Sequence, residues 1–152
     1  MKLTIILMVI SAMLVIIAGM CKAFGDTIQF HFPFSKLSQL GDWWNPRESW
    51  KLKYSKAMTL TKKAWWYIGL HTPTYDERFP FSTTILVALT DAWHFWGMIH
   101  NSTLLGSGIA FGAALPYLLN LSNLYLLLVI PLYMVFALTF HVFFHNILPN
   151  KK

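Results

Sequence analysis

The chain lacks a second cysteine. Cys21 stands alone among 152 residues, which excludes an internal disulfide and a cysteine-cluster metal centre. Charge is scarce too: 12% of residues are Asp, Glu, Lys or Arg, where a soluble domain carries about a quarter. Acids are rarest, six against twelve Lys and Arg, for a net charge of +6. That excess does not point to nucleic acid as a partner. Basic residues flanking apolar runs are how membrane segments meet anionic headgroups. What the chain does have is apolar length. It is 56% hydrophobic with a mean hydropathy of +0.50. These features describe an integral membrane protein, a single membrane domain over 1–152.

Four apolar runs predict an all-α, four-transmembrane-helix bundle. Leu3–Met20 follows Met1-Lys2 without interruption, near the ~20 residues that cross a bilayer. A signal peptide also has a basic start and an apolar middle, with small residues such as Cys21 and Ala23 before a cut. The length favours an uncleaved anchor over about 3–21. The further spans are placed at about 82–100, 104–119 and 124–148. Gly106, Gly108 and Gly112 loosen the third, and Pro116 and Pro131 suggest kinks. "HNST" and "NLSN" are the short connectors, so neighbouring helices should be antiparallel. Both termini then lie on one side. Between Lys22 and Arg78 stand nine Lys or Arg and five Asp or Glu. The positive-inside rule places that loop in the cytoplasm and the termini outside, in a bacterial inner membrane.

The loop, 22–81, carries structure signals of its own. "TIQFHF" alternates like a short strand or a chain lying on the interface. In "NPRESW", Asn45 is an N-cap, Pro46 opens the helix and Glu48 stands where a capping box needs it. A helix from Pro46 to about Ala57 is expected, then a second stretch in "LTKKAWWYIGL". Trp43, Trp44, Trp50, Trp65 and Trp66 with neighbouring lysines suit the headgroup layer. The loop is therefore a membrane-associated amphipathic segment. It is either a lid over lipid headgroups or a helix resting on the surface without a ligand.

"TDAWHFWGMIH" raises the chemical question, because Asp91, His94 and His100 fall in an apolar run. Asp91 and His94 share a helix face at three residues apart, and His141 and His145 share one at four. In parallel second and fourth spans, His94 and His141 each lie about seven residues, or ~10 Å, before the end of their helix. His100 is near the same surface. A charged group near the bilayer centre costs at least ~2.5–3.5 kcal/mol on insertion scales, so partners are expected. Three uses fit. Asp91, His94, His141 and His145 match the ligand types of zinc, which lowers the pKa of a bound water to about 7. His145 and His100 would then move protons in a hydrolysis. Two histidines on facing helices suit b-type haem. A purely structural polar network needs neither.

The strings "NPRESWKLKY" and "FPFSTTILVALTDAWH" resemble a recurring pattern in small uncharacterised bacterial multi-span membrane proteins. The likeness covers about the middle third of the chain and implies a fold, not an activity. The set Asp91, His94, His141-x-x-x-His145 is similar to the Ser, Asp and three-His zinc constellation of alkaline ceramidase-like and progestin-receptor-like membrane hydrolases. That resemblance implies zinc-dependent cleavage of a lipid-like ester or amide. Those proteins have seven spans, and Ser82, Thr83 and Thr84 lie too far from His94 to fill the serine position. Two function classes follow: an intramembrane metal-dependent hydrolase acting on membrane lipid, or a non-catalytic membrane subunit. The second would pack on a membrane-protein partner or a second copy through the aromatic loop and Gly106, Gly108 and Gly112.

Overall fold

The computed structural model describes residues 2–53, 78, 80–82, 84, 86–120 and 122–150. Three helices organise them: α1, Lys2–Asp26; α2, Ala92–Leu119; and α3, Val129–His141. With their helical continuations, three segments are long and apolar enough to cross a membrane: Lys2–Phe34, Ala92–Leu119 and Leu126–Ile147. The architecture is all-helical among the described residues.

The second and third expected spans are one helix. No connector forms at "HNST", because Thr103 turns its hydroxyl back onto the carbonyls of Ile99 and His100, both at 2.9 Å. A polar side chain that bonds within its own helix needs no turn. The same helix begins ten residues later than the expected start at Ser82. Residues Val87–Leu89 form a short 3-10 turn, and Asp91 is extended, with φ −151° and ψ 153°. Pro131 lies in the first turn of α3, where a missing N–H costs least, and Pro116 lies inside α2, in its last turn.

α1 is the central helix, and α2 and α3 each pack on it. The register follows from three contacts. The Ser11 and Ser107 hydroxyls meet at 2.9 Å, His100 reaches the Ala18 carbonyl at 3.0 Å, and Phe24 stacks on Trp96 at 4.5 Å. Each step up α1 is a step back down α2, so the two are antiparallel. α3 runs parallel to α1: Gly19 abuts Phe136 and Thr139, and Phe24 lies 6.2 Å from Phe143. A Cβ at Gly19 would stand 2.9 Å from the Phe136 carbonyl oxygen, so glycine permits this approach.

Among the described residues, Lys2 and Asn150 stand at opposite ends of the bundle, not on one side. The C-terminal end is tied beside the exit of α1. Lys36 N–H donates to the Leu148 carbonyl and Asn150 N–H to that of Phe34, each at 2.9 Å. "TIQFHF" is not a strand. It continues α1 as a π-helical turn, Thr27–His31, and enters a 3-10 turn, Phe32–Phe34. Asn45 Oδ1 accepts from Arg47 N–H at 3.0 Å in a turn ahead of Ser49, so the helix expected from Pro46 does not start there, and its residues 54–57 lie outside the described residues. Glu48 pairs with Lys51 and does not close a capping box, and Ser49–Lys53 is a 3-10 helix. Trp43 and Trp44 pack inward on Phe24, Phe95 and Trp96. Trp65, Trp66 and the stretch "LTKKAWWYIGL" lie outside the described residues.

Candidate functional site

Asp91 is at the start of α2 for a local reason. Its carboxylate accepts the His94 backbone N–H at 2.9 Å, which satisfies one of the free donors of the helix terminus. The same carboxylate accepts the His94 Nδ1–H, at 2.8 Å to Oδ1 and 2.7 Å to Oδ2. Asp91 is 3% exposed, and Ala92 N–H donates to the Trp43 carbonyl at 3.0 Å behind it. Two donors from one residue hold the acid and orient the ring. With Nδ1 as the donor to the carboxylate, Nε2 is the ring nitrogen left without a partner among the described residues.

His94 lines a groove of about 500 Å³ between α1 and α2. Across from it, Lys22 pairs with Asp26 one turn on. Gln29, Asn101, His100 and the buried Cys21 add to the polar part of the lining. The groove thus holds both signs of charge, two imidazoles and two amides, at the rim of an apolar bundle. Lys22, Asp26, Gln29 and Asn101 were not singled out by the sequence reading. The signal was present in Lys22-x-x-x-Asp26, an i,i+4 ion pair directly after an apolar run.

The depth of these groups answers the puzzle of Asp91. Lys2 and Lys22 bracket nineteen uncharged residues of α1, or ~30 Å, the thickness of a hydrocarbon core. Lys22 stands between Ala18, level with His100, and Phe24, level with Trp96. Its level on α2 is therefore near Gly97. Asp91 is six residues further out, or ~9 Å at 1.5 Å per residue. On this register Asp91 and His94 stand past the uncharged stretch of α1 that Lys2 and Lys22 bracket.

The expected four-ligand site does not assemble. Asp91 meets His94, and His141 meets His145 with ring centres 4.6 Å apart. No group of three His, Cys, Asp or Glu side chains able to hold a metal comes together among the described residues. The depth match between His94 and His141 assumed two parallel helices, whereas α2 and α3 run in opposite directions. His100 Nδ1 meets the Ala18 carbonyl at 3.0 Å and its ring lies against Phe136, so it packs between helices while it also lines the groove. No known protein family, curated protein or solved structure matches the chain.

Proposed function

We propose that this membrane protein binds the polar head of a lipid-like amphiphile in the groove between α1 and α2. The observation that carries the reading is the composition and depth of that groove. An ammonium, a carboxylate, two imidazoles and two amides line one opening, next to the Lys22 end of the uncharged stretch of α1, a height that suits a lipid head. Apolar helix surface lies directly below: Ile17 on α1 and Leu104 and Leu105 on α2 are exposed. A head with both charges suits the pair, its phosphate toward Lys22 and its ammonium toward Asp26. His94 Nε2, aimed by Asp91, accepts a proton or hydrogen bond from the bound head. This replaces the zinc hydrolase expected from four converging ligands, because the described residues supply that site with two separate pairs. Mass spectrometry of lipid carried through detergent purification tests it. Wild type should retain a zwitterionic lipid, and a double variant, Lys22→Ala with Asn101→Leu, should lose it. Equal retention by both would reject the groove as the binding place.

A second reading, an assembly subunit, rests on a different observation. A Cβ added at Gly108 or Gly112 would meet nothing within 4 Å. Only Gly106 of the three glycines is used inside the chain, 3.2 Å from Leu14. Gly108-x-x-x-Gly112 on α2 is therefore free for close approach by another helix. Leu substitutions at both glycines should dissociate such an assembly in detergent, read as a fall in mass by light scattering. An unchanged mass, or a monomeric wild type, rejects this reading.

A further inference from the structure

We infer that His141 and His145 form a two-imidazole site for a first-row transition metal, separate from the groove. The two rings are neighbours at 4.6 Å, on the exposed side of α3. The helix widens between them, since Val142–Ile147 is π-helical, a geometry that gathers at functional sites. One face of the pair is walled. Phe144 stacks on Phe140 at 5.1 Å and stands edge-on to His145 at 5.0 Å, which restricts the His145 ring. Neither imidazole makes a hydrogen bond among the described residues, so their nitrogens are available as ligands. Their depth also suits an ion arriving from water. Gly19 adjoins Phe136 and Thr139, and Phe24 adjoins Phe143, so His141 is level with Lys22 at the end of the apolar stretch. Imidazole suits zinc, nickel and copper, and copper(II) binds tightest in that series. The two remaining in-plane positions would be filled by water.

The test is titration of the full chain in detergent micelles with Cu²⁺, followed by electron paramagnetic resonance. One copper per chain with coupling to two nitrogens is expected, displaced by excess Zn²⁺. His141→Gln and His145→Gln should each weaken binding by about 10- to 100-fold, at least the loss seen when a supporting partner is removed. His94→Gln should leave the copper signal unchanged. Both histidines are exposed, and helicity by circular dichroism verifies that each variant is folded. A signal that survives His145→Gln overturns the site. A signal lost with His94→Gln does so too, and would restore a site shared with Asp91.

Discussion

At the residue scale, Asp91 concentrates the account. Its pairing with His94 at a spacing of three was legible in the sequence. Its role as a helix cap was not, because an unbroken apolar run from Ser82 gave no reason to start a helix at Ala92. Asp91→Ala removes the cap and releases His94. It should cost about 0.5–2 kcal/mol of stability, measured by unfolding in detergent. Asp91→Asn keeps an acceptor for the His94 backbone N–H and should lose less. Equal losses in the two variants would mean that capping is not the main contribution. Gly19 and Gly25 make a second contrast. A side chain at Gly19 meets the α3 backbone, whereas one at Gly25 meets nothing within 4 Å. Gly19→Val should destabilise the α1–α3 contact by roughly 1–3 kcal/mol, as overpacking does. Gly25→Ala should be neutral or slightly stabilising, since Ala is the better helix former. Similar effects at the two positions would contradict the close approach at Gly19.

At the element scale, apolar length identified α1 and α3, and local polarity misled over α2. "HNST" contains four polar residues, which ordinarily mark a turn. Here His100 bonds across to α1 and Thr103 bonds back along its own helix, and Ser107 meets Ser11 four residues later. Tertiary partners, invisible in one sequence, turned a connector into the middle of a helix. Spin labels placed singly from Gly97 to Gly108 should show accessibility that repeats every three to four residues. A block of uniformly water-accessible positions at 101–103 would restore the connector. The groove was hidden for the same reason: its lining comes from two helices whose register no single-chain pattern reveals.

For the whole molecule, joining two spans into one changes the orientation argument. With four spans, the C-terminal Lys151-Lys152 opposed the basic loop. With three among the described residues, Asn150 stands at the end of the bundle that holds Lys36, Arg47, Lys51 and Lys53. On the positive-inside rule we propose that the groove end faces the cytoplasm and the start of α1 the opposite side. Cysteine labelling at Lys2 and at Asn150 from each side of the membrane should give opposite answers, and labelling of both from one side would contradict three spans. The central claim is that a lipid head, and not a lipid tail, occupies the space between α1 and α2. Photo-crosslinking in vesicles tests it most directly, using a zwitterionic phospholipid with its reactive group on the head. Peptide mapping should place the adducts within Cys21–Gln29 and Trp93–Asn101, and competition by the unmodified lipid should remove them. Adducts spread evenly over the exposed face of α3, or undiminished by competitor, would contradict the account.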